Sequence, residues 1–392
     1  MNSPVARPAH RTPLVLAALT LIAILGFAGV SRLVTRFKAS EKHIAFRAFQ
    51  AGLTQFNAGH SELALDEFRS ALTYDRDNPL YQLRLARALR DTGRLDESES
   101  YLINLWEKSP QDSTINLALA RLAARRQSID GAIRYYHNAI YGLWFSDPDQ
   151  NRRQTRLELI EFLLKQDARP QARAELITLA AVVPPDPAQH IALADLFVRA
   201  HDYENALAHY QAALKLDRRN AAAFAGAGEV AFQMGRYQTA QRLLQKAVEE
   251  NPKDEASRQR LQTASVILAT DPFLRRISDA ERNRRIAIAF TQAGNRLRAC
   301  AQSKDVVLPP AAANKHASES LSKDDLASLW VRWQAARPQL RRLNAPTNTD
   351  LPDTLMDLIL QIEQQTAQQC GEPSGRDLAL LLISRHREDV DQ

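Results

Sequence analysis

Small residues recur along this chain at a fixed period, and large apolar residues keep step with them. Ala64, Ser98, Ala132, Ala172, Ala206 and Ala240 are separated by 34, 34, 40, 34 and 34 residues. Six windows aligned on them, 45–78, 79–112, 113–146, 153–186, 187–220 and 221–254, bring further positions into register. The eighth residue is Gly52, Ala86, Ala120, Ile160, Ala194 and Gly228; the twenty-seventh is Ala71, Leu105, Ala139, Leu179, Ala213 and Ala247. Between these, at the twenty-fourth, stand Phe68, Leu102, Tyr136, Leu176, Tyr210 and Leu244. Antiparallel helices approach closely only where the side chains at their crossing are small, and a bulky apolar residue one turn on fills the space beside that contact. Each window therefore predicts a helical hairpin, and the period predicts a stack of them. Gly59, Gly93 and Gly235 fall at the fifteenth position, where the first helix ends; Pro110, Pro184 and Pro252 fall at the thirty-second, where proline stops the second.

This register resembles the tetratricopeptide repeat family over residues 45–254. The resemblance implies an all-α fold, a right-handed α-solenoid of about six hairpins with a concave, peptide-binding face and no catalysis in the repeats. Three departures stand out: Arg76 and Arg218 replace proline, Ile160 is large at its crossing, and six extra residues follow the third window. An irregular middle joint is the expected consequence. Tyr135, Tyr136, Tyr141, Trp144 and Phe145 crowd that joint ahead of Ser146-Asp147-Pro148-Asp149, and their expected role is to plug its gap rather than to grip a ligand.

In this family the concave surface is lined by the first helix of each repeat, chiefly at its second, fifth, ninth, twelfth and thirteenth positions. The ninth reads Leu53, Arg87, Arg121, Glu161, Asp195 and Glu229, so the sign of charge changes halfway. Arg84 and Arg90 flank Arg87, and Arg125 lies one turn beyond Arg121. Guanidinium forks pair bidentately with carboxylates, which makes this wall a candidate site for an acidic segment or a free C-terminus. Glu161, Asp195 and Glu229 would meet basic residues of the same partner; a solvated inner face is the alternative. Some family members clamp a C-terminal carboxylate with Lys and Asn. Gln50, Asn57, Arg84 and Arg87 do not reproduce that set, so chaperone-tail binding is not inferred.

The flanks differ from the repeats. After a basic tail at 1–12 with Arg7 and Arg11, Leu14 to Val30 carries no charge, and Leu33 and Val34 extend it past Arg32. Residues 13–34 are thus predicted as a transmembrane signal-anchor, a single pass into the lipid bilayer. Gly26-Phe27-Ala28 offers a weak cleavage site as the alternative. Arg32, Arg36, Lys38, Lys42 and Arg47 follow the segment, and a positive-inside count would keep the repeats cytoplasmic. A basic-headed N-terminal segment favours the opposite, with the repeats periplasmic or otherwise extracytoplasmic. Phe46, Phe49, Leu53 and Phe56 keep helical spacing and are expected to be a core stripe.

Beyond the repeats, 255–271 is predicted to cap the last hairpin. A C-terminal helical bundle is expected over 276–392, with a linker at 303–322 containing Pro309-Pro310. Its first helix opens at a Ser278/Glu281 capping box and turns Arg282, Arg284, Arg285, Arg296 and Arg298 to the face opposite its apolar stripe, read as solvated. Cys300 and Cys370 each end a helix on its apolar side; they form a disulfide if those helices pack side by side, and are buried thiols otherwise.

The net charge of +6 over 392 residues, with acids interspersed, gives no reason to expect nucleic acid. No HExxH, P-loop, GxGxxG or GxSxG motif is present, so no catalytic residues, no metal, no cofactor and no enzymatic activity are expected. The reading that follows is a membrane-anchored scaffold or adaptor for a protein or peptide partner. Its alternative places a ligand-binding or catalytic activity in the C-terminal bundle, with the repeats recruiting its substrate.

Overall fold

The computed structural model describes residues 11–310, 325–343 and 350–391. Residues 1–10 of the basic tail and 311–322 of the expected linker lie outside the described residues. Among the described residues the fold is all-helical, with no strand beyond an isolated bridge between Asp112 and Leu143. The chain forms two compact units, Met1–Glu175 and Leu176–Gln392.

The first unit begins with α1 (Arg11–Asn57), a single 47-residue helix. The apolar segment therefore runs without a break into the first helix of the first repeat. Its mean hydropathy reaches 2.0 and its apolar end is exposed, so by length and composition it is able to cross a membrane. Then follow α2 (Ser61–Tyr74), α3 (Pro79–Asp91), α4 (Leu95–Lys108), α5 (Ser113–Arg125), α6 (Ile129–Tyr141), α7 (Pro148–Lys165) and the start of α8 (Arg169–Ala180). Ala64, Ser98, Ala132 and Ala172 are fully buried at the crossings. Serine is accommodated there because its hydroxyl donates to the Ala86 carbonyl at 2.7 Å. Of the aromatic stripe on α1, Phe49 is buried, stacked on Tyr81 at 4.5 Å, and Phe56 packs near Phe68, while Phe46 stays exposed.

Helix ends without glycine or proline have local explanations. The fifteenth position is left-handed at Gly59, Gly93 and Gly235, and equally at Gln127, Asp167 and His201. Where Arg76 and Arg218 replace proline, α2 still ends at Tyr74 and α10 at Leu216. Asp75 accepts from the Asn78 amide at 2.9 Å and Asp217 from Asn220 at 3.0 Å, closing the turn; each asparagine then caps the next helix.

The six extra residues at the joint add their length to the N-terminus of α7, which has 18 residues. The aromatic cluster divides there. Tyr136 is buried and the Trp144 indole donates to the Ala139 carbonyl, whereas Tyr141 and Phe145 remain exposed. Plugging thus accounts for only part of the cluster.

The second unit contains the end of α8, then α9 (Pro187–Arg199), α10 (Tyr203–Leu216), α11 (Ala221–Gln233), α12 (Tyr237–Glu250) and α13 (Glu255–Thr270). These lead to α14 (Asp279–Ser303), α15 (Leu326–Ala336), a 3-10 helix (Arg337–Arg342), α16 (Leu351–Cys370) and α17 (Gly375–Asp391). One apolar core runs from Ala231 and Leu244 through Ala264 and Ile267 to Phe290, Trp333, Ile359 and Leu380. The α13 helix therefore covers the last hairpin with one side and serves the C-terminal helices with the other. Pro338 ends the regular part of α15 by tightening it into the 3-10 turn. Cys300 and Cys370 are disulfide-bonded, with Cα atoms 5.8 Å apart, and staple α14 to α16.

The basic face of α14 is not uniformly solvated. Arg285 donates to the Leu268 and Asp271 carbonyls that end α13, and Arg296 reaches Thr366, Glu363 and the Gly371 carbonyl of α16. Arg298 lies over the Trp330 ring. Ser278 caps the helix by accepting from the Glu281 amide, but the Glu281 carboxylate turns to Arg284 and Arg285.

Candidate functional site: an arginine cluster on the first unit

Three arginines, Arg84, Arg87 and Arg90, stand one turn apart along α3, and Arg121 joins them from α5. Helical spacing puts positions three apart on one face, and the shared register of α3 and α5 sets Arg121 beside Arg87. The four are not equivalent. Arg121 is held by Glu158 of α7 in a bidentate pair, Nε to Oε1 at 2.7 Å and Nη2 to Oε2 at 2.8 Å. The Tyr136 hydroxyl donates to the same carboxylate at 2.9 Å. Burial raises the Glu158 carboxyl, but Arg121 and Tyr136 outweigh it and hold the group below its usual range. Arg90 turns to its neighbour Asp91 at 2.7 Å.

Arg84 and Arg87 have no such carboxylate among the described residues, and the Nε atom of each is buried without an acceptor. Arg87 is largely buried. Desolvation, then repulsion from Arg84, Arg121 and Arg90, pushes its guanidinium down to about 10, with only Asp112 opposing. Asp91 and Glu158 pair with Arg90 and Arg121, and Asp112 acts on Arg87 without a hydrogen bond to it, so three negative charges answer four positive ones. An orphaned, desolvated cation is costly to keep, and an anion supplied from outside relieves it.

The remaining predicted residues do not extend this cluster. Arg125 is exposed one turn beyond Arg121, and Glu161 is exposed on α7. Asp195 and Glu229 belong to the second unit and are engaged there. Asp195 accepts from the Tyr210 hydroxyl, and Glu229 pairs with Arg260 at 2.6 Å while Arg260 covers the Phe232 ring. Sequence reasoning missed Glu158, which sits at the sixth position of its window, outside the positions read for the inner face. It also missed a polar groove of about 680 Å³ on the first unit, between α2 and α4, edged by Arg69, Arg76 and Lys108. In the C-terminal helices the space between α14 and α16 is filled by Ile286, Phe290, Leu297, Leu355 and Ile359, and the cavity beside α14 measures about 50 Å³. Among the described residues, no three His, Cys, Asp or Glu side chains converge as metal ligands do.

A family model described as tetratricopeptide repeat matches residues 56–122 and 197–264, one stretch in each unit. No curated protein matches the chain. Among solved structures the chain is similar to the pilF protein of Pseudomonas aeruginosa, at 14% identity and TM-score 0.38, over 56% of this chain and 97% of that one. PilW, a type IV pilus biogenesis factor, is similar at 18% identity and TM-score 0.37, over 57% and 98%. YrrB, a TPR protein with an unusual peptide-binding site, is similar at 15% and 0.36, over 49% and 96%.

Proposed function

Because this chain is a tetratricopeptide repeat protein, we propose that it is a membrane-anchored scaffold that holds a protein partner through an acidic segment at the arginine cluster. The observation that carries this reading is the pair of guanidiniums, Arg84 and Arg87, each with a buried Nε that no group among the described residues accepts from. Carboxylates are the matching chemistry, since a planar fork takes them two bonds at a time. Arg121 has a different part: locked on Glu158, it holds α5 against α7 and shapes the wall. Arg90 and Arg125 supply charge at its edge, and Glu161 is a partner contact of opposite sign on the same unit.

In this reading α1 spans the bilayer as a signal-anchor and leaves the repeats on the extracytoplasmic side. The Cys300–Cys370 disulfide supports that side, because such bonds persist in oxidising compartments. The C-terminal helices act as a structural cap and second contact surface, and the reading assigns them no catalysis. Their apolar filling between α14 and α16 favours this over a ligand-binding bundle.

The test is capture by the full chain after mild crosslinking in cells. Replacing both Arg84 and Arg87 by Gln lowers capture at least about tenfold, or 1.4 kcal/mol, while helical content is unchanged. Equal capture by that variant places the partner surface elsewhere.

A further inference from the structure

Between the apolar segment and the first hairpin, α1 carries five bases and a single acid, Glu41, over residues 32–47. Arg32, Arg36, Lys38, Lys42 and Arg47 are all exposed, and none pairs with a carboxylate among the described residues. With about 3.6 residues per turn they fall on one half of the helix, together with His43. The other half carries Leu33, Val34, Phe37 and Ile44, the first three exposed. The helix is therefore two-faced at the level where it leaves the apolar segment, with its basic half unanswered by the protein.

We propose that this basic collar binds the anionic headgroups of the bilayer that α1 crosses, so that the chain gathers acidic phospholipid around its stalk and fixes the tilt of the first repeat. The inference rests on the reading of α1 as a membrane span. From Arg32 to Lys38 the helix rises about 9 Å, close to the depth of one headgroup layer of roughly 5–8 Å. Lys42 stands about 6 Å further out, within a Debye length of about 8–10 Å. Four bases are thus in reach of surface charge, and Leu33, Val34 and Phe37 bury on the opposite side at the acyl boundary. Because α1 has no break before Asn57, whatever orients the collar orients the first hairpin and α2 with it.

The experiment uses the full chain with Ser40→Cys, which provides a unique thiol because Cys300 and Cys370 are bonded to each other. A fluorophore at that position is read in vesicles of phosphatidylcholine with a minor fraction of phosphatidylglycerol, carrying a quencher on the headgroup of one lipid or the other. Quenching per labelled phosphatidylglycerol exceeds that per labelled phosphatidylcholine at least about threefold, a modest return for bases each worth about fivefold at a charged surface. High salt weakens the preference, Arg32→Lys with Arg36→Lys keeps it, and Arg32→Gln, Arg36→Gln, Lys38→Gln and Lys42→Gln together abolish it. A chain that floats with the vesicles but is quenched equally by both lipids overturns the collar alone. A chain that floats with neither composition overturns the membrane span beneath it.

Discussion

Arg87→Met separates binding from folding, because the structure gives the guanidinium a cost and no internal return. Its guanidinium, pushed down to about 10, is a charged form disfavoured by burial and by Arg84, Arg121 and Arg90. At about 1.4 kcal/mol per pH unit the penalty is roughly 3 kcal/mol, and partial solvent access reduces it to about 1–3. The sign follows from proton binding. Above about pH 10 and up to the ordinary guanidinium value, the unfolded chain holds more protons at this group, so the penalty is complete below pH 10 and relieved as pH rises through that window. Methionine keeps an apolar stem of similar reach without the charge. At neutral pH the variant should therefore melt higher, by about 2–12 °C for a unit of this size, followed by circular dichroism of the full chain in detergent. An acidic peptide at about a hundred times its Kd should raise the wild-type Tm by the equivalent of about 2.7 kcal/mol and leave the variant where it is. A variant that melts below wild type without ligand would refute the reasoning, since it would make Arg87 a stabilising residue of the fold.

Gly294→Ala should destabilise the second unit by about 1–3 kcal/mol in urea unfolding, because a Cβ there would come within 2.2 Å of the Trp333 ring, itself fixed by its bond to the Phe290 carbonyl. Gln127→Gly, at a left-handed position that Gly59, Gly93 and Gly235 fill without strain, should raise the stability of the first unit by up to about 1 kcal/mol in the same assay. Glu363 is fully buried, and burial, then Asp377, push its carboxyl up to about 8 despite Arg296. The folded chain therefore holds the extra proton between about pH 4.5 and 8, and stability from this group falls as pH rises through that window. Glu363→Gln should be nearly neutral in urea midpoint at pH 4.5 and clearly stabilising at pH 8 and above; equal effects at both pH values would contradict the burial account.

The repeats were legible because their constraint is local and periodic: a crossing admits only small side chains, and Ala64, Ala132 or Ala240 declares itself at each recurrence. Ser98 passed the same filter through its hydroxyl bond to Ala86. The arginine wall was legible as a row but not as a hierarchy. Which cation is free depends on Glu158, which reaches Arg121 from the next repeat, and on a tyrosine that the register marked only as bulk. Gln127, Asp167 and His201 ended helices without glycine, so their turns left no compositional mark. In the C-terminal helices, charge on the face opposite the apolar stripe suggested solvent for Arg285 and Arg296. Arg285 instead satisfies carbonyls at the end of the preceding helix, and Arg296 reaches groups on α16, far away in sequence, pairings that no helical period reveals.

The central claim is most directly tested by fluorescence anisotropy of the full chain in detergent. It is titrated with a labelled peptide bearing adjacent Asp and Glu residues, and with the same peptide carrying Asn and Gln. The account expects the acidic peptide to bind at least about tenfold, or 1.4 kcal/mol, more tightly, with that difference lost in the Arg84→Gln/Arg87→Gln variant. Equal affinity for the two peptides, or full discrimination retained by the variant, would contradict it.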